Sequence, residues 1–444
     1  MSLVQNSRIN SGITHTFRAL RTRNYRLFFS GQSISLIGTW ITRVATSWLV
    51  YRLTHSTFLL GIVGFSGQIP SFLLAPIGGI VADRFNRHRL LVVTQVLSMI
   101  QSFALAILMF TGLITVPYII FLNIFQGLIN AFDMPIRQSF MVEMIEDRKD
   151  LGNAIALNSS MVNAARLFGP SIAGVLISLT GEGMCFTVDG FSYLAVILSL
   201  LLMKIHPRKI KIQNKPVLHD LKSGFSYAFH FLPIRYILLL LALVSLMGVP
   251  YQVLMPVFAK DILHGDAHTL GFLMAAAGMG ALTGALYLAS RKTVLGLGKV
   301  IPMAAMIFGL GLIGFSLSKL FWLSMILLVF VGFGMMVQMA SSNTILQTVV
   351  DEDKRGRVMS FYAMAFMGMS PFGSLLAGML ANRICTPETI SIGGVCCIIG
   401  GLLFLKRLPL IREKARPIYV KMGIIPEVAT GVQAATELTV PPEE

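Results

Sequence analysis

The sequence predicts an all-α membrane protein: about twelve transmembrane helices in two pseudo-symmetric six-helix bundles, with both termini cytoplasmic. Three observations carry this prediction. Of 444 residues, 55% are hydrophobic and only 13% charged, against about one quarter charged in soluble domains. Lysine and arginine gather on one side of the spans. A segment around the fifth span of each half repeats with its glycines in register.

The apolar runs recur almost to the end of the chain, at or beyond the roughly 20 residues a helix needs to cross a bilayer. After a basic amino-terminal segment (1–25), six spans are expected near 26–52, 57–82, 90–111, 117–138, 152–179 and 184–203. A basic linker (204–235) follows, with a short amphipathic helix expected near 218–231. Six further spans are expected near 236–259, 269–290, 300–318, 321–346, 358–381 and 389–405. The two bundles are thus 26–203 and 236–405, and a polar, Pro-containing tail (406–444) is expected to be cytoplasmic and disordered. The first run lacks a small-residue cleavage site and reads as a retained span.

Of 36 Lys and Arg, 30 fall in the amino-terminal segment, the even-to-odd loops, the linker and the tail. The opposite loops hold Arg52, Lys260, Lys319 and Arg383; Arg43 and Arg166 lie within spans. By the positive-inside rule the basic side is cytoplasmic. The net charge of +16 is therefore a topology signal and an anionic-lipid contact, and a nucleic-acid partner is not expected. The internal echo sets "DRKDLGNAIALNSSMVNAARLFGPSIAG" (147–174) against "DEDKRGRVMSFYAMAFMGMSPFGSLLAG" (351–378) at a shift of 204 residues. Gly152 faces Gly356, Gly169 faces Gly373 and Gly174 faces Gly378. Such order suggests two related halves.

Between the second and third spans stands "GGIVADRFNRHRLL" (78–91). Together with the two-halves pattern it resembles the signature of the major facilitator superfamily, G-x-x-x-D-[RK]-x-G-[RK]-[RK], with Gly79, Asp83, Arg84, Arg87 and His88 at the matching positions and Asn86 in place of the second glycine. Gly79 is expected to admit a neighbouring helix, and Asp83 to face the positive start of the eleventh helix. Arg84 or Arg87 is expected to pair with Asp133, completing a conformational latch between the halves. The alternative is that these bases only fix topology. In the fifth helix "RLFGPSIAG" (166–174) resembles the superfamily's exporter-associated glycine-proline signature. Gly169, Pro170 and Gly174 would allow close packing and a bend.

A closer resemblance, over most of 17–405, is to the subgroup of enterobactin exporters and macrolide efflux proteins. It rests on "ISLIGTWITRVATSWLVYRLTHS", "FDMPIRQSFMVEMI", "FTVDGFSYLA" and "RGRVMS". It implies efflux of a bulky organic molecule such as a siderophore or drug across a bacterial inner membrane. One departure is Asn123, where the subgroup usually carries arginine before "QG".

Charged groups inside a span cost at least about 2.5 kcal/mol at the helix centre, so each needs a reason. Arg43 is expected to line the central cavity and attract an anionic or polar substrate, with Arg166 as the second embedded base. Asp189 is the candidate proton carrier or, equally, a fixed structural ion pair. Gln126, Asn123, Asn130 and Gln338 must face protein or water rather than lipid, and so extend the pathway. Trp40 offers either an aromatic platform or a packing surface. Methionines such as Met335 either fill the core or give a bulky substrate flexible contacts.

No G-x-x-x-x-G-K-[ST] loop occurs, which argues against ATP-driven transport by this chain; no HExxH or GxSxG occurs, which argues against an enzyme. No cofactor or metal is expected. The leading expectation is a secondary-active exporter with a small-molecule substrate and protons as coupling ion. The alternatives are an importer or lipid-handling transporter on the same fold, and a non-transporting sensor or scaffold.

Overall fold

The computed structural model describes residues 18–145, 147–204, 230–291, 293–350 and 352–421, and all regular structure among them is helical. Twelve long helices follow one another. The first six are α1 (Arg23–Thr54), α2 (Thr57–Arg84), α3 (Arg87–Phe110), α4 (Val116–Met141), α5 (Leu151–Thr180) and α6 (Glu182–Leu201). The second six are α7 (Leu232–Ile262), α8 (Ala267–Ala289), α9 (Leu297–Leu317), α10 (Phe321–Val349), α11 (Lys354–Ile384) and α12 (Thr386–Lys421). Eleven are long and apolar enough to cross a membrane. The exception is α1, which carries Arg43 among many hydroxyl residues.

The expected spans and the observed helices agree except at the end: α12 continues through Pro409 and Pro417 to Lys421, beyond the expected stop at 405. The amphipathic helix expected near 218–231 and the tail beyond 421 lie outside the described residues.

Local chemistry sets the boundaries. Ser56 caps α2 by accepting from the Leu59 amide, and Asp266 caps α8 by accepting from His268 and Thr269, satisfying amide donors that a helix start leaves free. Asn86, the departure from the superfamily signature, caps α3 by accepting from Arg89 at φ −66°. It therefore serves as a cap in extended backbone and makes no use of a left-handed conformation.

Two prolines mark irregular turns. Proline lacks an amide donor and crowds the carbonyl four residues earlier. Those carbonyls belong to Leu246 before Pro250 and Met367 before Pro371, and each lies within a π-helical segment, Val244–Gly248 of α7 and Met364–Gly368 of α11. The two segments touch: Ser245 Oγ donates to the Phe366 carbonyl.

The first six helices pack together through α1 with α5 and α6, α2 with α4, and α3 with α4 and α6. The last six pack through α8 with α10, α9 with α10 and α12, and α7 with α12. Between the two groups the main crossings are α5 on α8 and α2 on α11. The two crossings are counterparts. A Cβ on Gly174 would sit 3.2 Å from the Cα of Gly271, and one on Gly378 would sit 2.7 Å from the Cα of Gly61. In the reverse direction a Cβ on Gly271 would meet the Pro170 carbonyl, and one on Gly61 the Ser374 carbonyl. Pro170 and Ser374 are related by the same shift of 204 that relates Gly174 and Gly378. The sequence echo is a structural one: backbone meets backbone at two equivalent small-residue crossings.

Both crossings lie at the end of the molecule away from the termini. There the halves are also joined by Tyr51, whose hydroxyl donates to Asp261 Oδ2, and by Lys260, whose ammonium stands 6.0 Å from the Trp48 ring. At the opposite end Gly79, Gly152 and Gly356 have no atom of the described residues within 4 Å of a would-be Cβ. Among the described residues the halves are thus closed on each other at one end and open at the other, where the described chain begins and ends.

Candidate functional site

The site is built around α1. Gly31 and Gly38 lie on the face against α6, where their missing side chains make room for Ser199 and for Ser192 and Asp189. Trp40 and Arg43, three residues apart, share a different face. Trp40 reaches α5 because Gly169 has no side chain there; a Cβ on Gly169 would collide with the indole's own Cβ. The Arg43 guanidinium stands 4.8 Å from the centroid of the Trp40 ring, and that of Arg166 from α5 stands 5.7 Å from the same ring. Cations are drawn to an indole at such distances.

The second half supplies the opposite wall. Trp40 and Arg166 line a niche with Tyr251, Gln252 and Met255 of α7, Met274 and Gly278 of α8, and Met335 of α10. Its volume of about 20 Å³ is room for water, not for a substrate, so it forms the blind end of the cleft. Gly278 permits this approach: a Cβ there would lie 2.9 Å from the Arg166 carbonyl. Arg43 lies in mid-span yet is exposed, and Arg166 is half-buried. Because both stand on an indole that faces the second half, the exposure of Arg43 is to the cleft between the halves rather than to lipid.

Neither guanidinium has a carboxylate partner among the described residues. Arg166 Nε is buried without a hydrogen-bond acceptor. Two cations on one ring, without a counter-charge, repel each other and are stabilised by an anion placed between them.

The remaining expected residues are distributed differently. Asp189 is not brought to Arg43. It lies beside Gly38, five residues along α1 and so about 140° around the helix from Arg43. Ser102 Oγ donates to its carboxylate at 2.8 Å and Ser192 Oγ stands at 3.5 Å, in the packed interior of the first half. Asn123 donates to the Ile119 carbonyl and lies against Gly67 of α2. Gln126 donates to Ser98 and to Asn130; Asn130 is exposed. Gln338 is buried with its Nε2 unpartnered.

The expected latch is arranged otherwise. Asp133 bonds Arg137 one turn along its own helix and accepts from Thr94 and Gln95 of α3, so neither Arg84 nor Arg87 pairs with it. Arg87 instead joins Asp83, Glu143 and the Ala82 carbonyl at 3.0, 2.7 and 2.8 Å. The Asp83 side chain is 74% exposed. The close approach expected of Gly79 is made by its neighbour Gly78, against the Ala131 carbonyl of α4. Asp83, Arg87 and Asp133 all bond within the first half. In α5 the helix continues through Pro170; Gly169 seats Trp40 and Gly174 seats α8, so these residues provide close packing.

Sequence reasoning missed Tyr251, Gln252, Met255 and Gly278, which carry no charge to single them out. It also missed the Tyr51–Asp261 bond, because Asp261 was expected to lie in a loop and a π-helical turn, Phe258–Ile262, extends α7 through it.

Twelve helices in two pseudo-symmetric halves around a polar cleft define a transporter of the major facilitator superfamily, embedded as a multi-pass protein of the inner membrane. The chain belongs to the family described as transmembrane secretion effectors, whose model matches residues 14–430. It is 26% identical to the staphyloferrin A transporter of Staphylococcus aureus, over 85% of this chain and 95% of that one. It is 24% identical to the multidrug efflux pump Tap of Mycolicibacterium fortuitum (78% and 86% covered). Identity is also 24% to the enterobactin exporter EntS of Escherichia coli (88% and 94% covered). Among solved structures it resembles a POT family transporter bound to 5-aminolevulinic acid, at TM-score 0.70 and 12% identity over 88% of this chain and 97% of that one. A bacterial Spinster homologue in an inward-facing state gives TM-score 0.65 at 14% identity (90% and 98% covered). These likenesses confirm the fold.

Proposed function

We propose that this transporter exports a bulky organic anion of the siderophore or drug class by alternating access, with protons as the coupling ion. The observation that supports this most is the pair Arg43 and Arg166, set on Trp40 inside the cleft with no carboxylate to neutralise them. Two cations held on one ring repel each other, and charge within a span is costly unless paired, so a protein that keeps both in its pathway gains from binding the missing anion. The methionines and Tyr251 of the niche supply adaptable apolar contact. With the basic loops cytoplasmic, the open end faces the cytoplasm, which is the loading state of an exporter. Asp189 is the proposed proton carrier. It packs on the helix that bears Trp40 and Arg43, so a change in its charge can be transmitted along α1 to the site.

Everted vesicles under an imposed pH gradient test the proposal. Anionic siderophores and anionic dyes should accumulate in a gradient-dependent way. Arg43→Gln and Arg166→Gln should each weaken uptake of the anions roughly ten- to hundredfold, since a hydrogen bond to a charged group contributes about 1.5–3 kcal/mol, while neutral analogues change little. Asp189→Asn should uncouple uptake from the gradient. Undiminished anion uptake by the double arginine variant would overturn the substrate class. Uptake found only in right-side-out vesicles would overturn the direction.

A further inference from the structure

A second cavity lies apart from the cleft, at the terminus-bearing end of the second half. Its volume is about 590 Å³, within the range of pockets that hold small ligands. The start of α7, the α8–α9 connection, Ile345 of α10 and the last turns of α12 enclose it. Its walls are apolar, with Ile237, Ile345, Phe404, Leu408 and Ile411. At its rim stand Arg412 and Arg416, one turn apart on α12, with Glu413 as the single acid in the lining.

The position of this cavity follows from the length of α12. About 20 helical residues cross the hydrocarbon core; counted from Thr386, they end near Lys406, the first of five cations on the helix before residue 417. Beyond that point α12 is amphipathic: Leu408, Ile411 and Ala415 are buried, while Lys406, Arg407, Arg412, Lys414 and Arg416 are exposed. The cavity therefore begins at the hydrocarbon boundary and ends at a cationic rim at headgroup level. Neither rim guanidinium has a partner among the described residues; Glu413 pairs only loosely with Lys414, at 3.8 Å.

An apolar chamber that opens at the membrane surface beneath two free guanidiniums matches one ligand chemistry: an acyl chain attached to a phosphate. We infer that this cavity binds an anionic phospholipid of the terminus-side leaflet, one acyl chain inside and its phosphate on Arg412 and Arg416. Such a lipid ties the cytoplasmic extension of α12 to α7 and to the α8–α9 connection. The helices it joins all belong to the second half, so it braces that half without touching the cleft. The inference does not depend on what the transporter carries.

The test uses the full chain in phosphatidylcholine nanodiscs, with a fluorescent phosphatidylglycerol as probe and unlabelled phosphatidylglycerol, phosphatidylcholine and inorganic phosphate as competitors. Phosphatidylglycerol should displace the probe; phosphatidylcholine and phosphate should not. Arg412→Gln/Arg416→Gln should weaken probe binding about 30-fold, from roughly one decade or less per lost cation–lipid contact. Ala415→Phe, which narrows the cavity beneath the rim but keeps both arginines, should weaken binding. Thermal unfolding in pure phosphatidylcholine reports that each variant is folded, and Lys406→Gln/Lys414→Gln, which removes the same two charges from the exposed side of α12, serves as the surface-charge control. Equal displacement by phosphatidylcholine, displacement by phosphate alone, full binding by either variant, or an equal loss in Lys406→Gln/Lys414→Gln would each overturn the inference.

Discussion

The closed end of the molecule can be pried open by one methyl group. In Gly378→Ala the new Cβ would lie 2.7 Å from the Gly61 Cα and 2.8 Å from the Thr57 carbonyl oxygen. Carbon atoms settle at about 3.5–4.0 Å, so α2 and α11 must separate by about 1 Å. The clash is backbone on backbone, with no flexible side chain to give way. Overpacking of this kind costs about 1–3 kcal/mol. The penalty applies only while the crossing is closed, so about 2 kcal/mol raises the ratio of molecules open at that end roughly 30-fold. The assay is labelling of Met255→Cys, which is buried at the blind end of the cleft, by an impermeant thiol reagent added from outside. The exposed Cys385 and half-buried Cys396 are first replaced by serine. Gly79→Ala is the paired variant. Nothing lies within 4 Å of that site in the present state, so the methyl penalises only a state closed at the other end, and external labelling should fall. If Gly378→Ala folds and labels at the parental rate, the glycine crossing is not what holds this end shut.

Three further outcomes follow from single contacts. Gly169→Leu displaces Trp40, whose Cβ occupies the missing side chain's place; transport should be lost while the chain still inserts and purifies, and the measurement is uptake normalised to protein level. Arg52→Met leaves Glu182, whose side chain is 5% exposed, without its bidentate partner at 2.8 and 3.1 Å. Stranding a buried charge costs about 3–5 kcal/mol. Because Arg52 itself is 43% exposed the loss should be nearer 1–3 kcal/mol, read as a lower unfolding midpoint, with Glu182→Gln restoring part of it. Asp266 lies in the α7–α8 connection. Its partial burial acts to raise its carboxyl pKa, but hydrogen bonds from His268 and Thr269 outweigh this and hold it below the usual carboxylate range. A depressed pKa stabilises the fold above the unfolded-state value and loses that contribution as pH falls through the folded value. Asp266→Ala should therefore lower the unfolding midpoint at neutral pH, by a cap worth about 1 kcal/mol, and should make little difference in strong acid.

The helices were legible because hydropathy and length are enough to define a span, and the glycine echo at 147–174 and 351–378 correctly announced two related halves. The embedded bases were legible for the same reason: charge in lipid demands an explanation, and Arg43 and Arg166 meet on one indole. Pairing was not legible. Arg84, Arg87 and Arg137 are equally basic, and the superfamily resemblance pointed to the first two, whereas the partner chosen is Arg137, one turn along the same helix. Asp189 and Arg43 stand out in the sequence only as charges within spans, and about 140° of rotation about α1 separates them. The apolar lining of the niche left no trace, because Met255 and Met274 look like any other core methionine.

The spacing of the glycines gives the free ones a meaning. On α2, Gly61 is sealed against α11 and Gly79 is free, and the two lie 18 residues apart, five full turns at 3.6 residues per turn. On α5, Gly174 is sealed and Gly152 free; on α11, Gly378 is sealed and Gly356 free. Each of these pairs is 22 residues apart, close to six turns. On α2 and α5 the free glycines therefore lie on nearly the same helix face as their sealed counterparts, the face that looks at the other half; on α11 the π-helical turn Met364–Gly368 lies between the two. A bare face at the open end has no packing role in the state described. If the halves rock so that the Gly61–Gly378 and Gly174–Gly271 crossings part, the same faces meet at the terminus-bearing end, and backbones approach where Gly79, Gly152 and Gly356 leave room. Asp83 and Arg87, now bonded within the first half, would then stand at that new boundary. The two ends of α2, α5 and α11 would then act as alternative seals of one cleft, with Arg43, Trp40 and Arg166 between them.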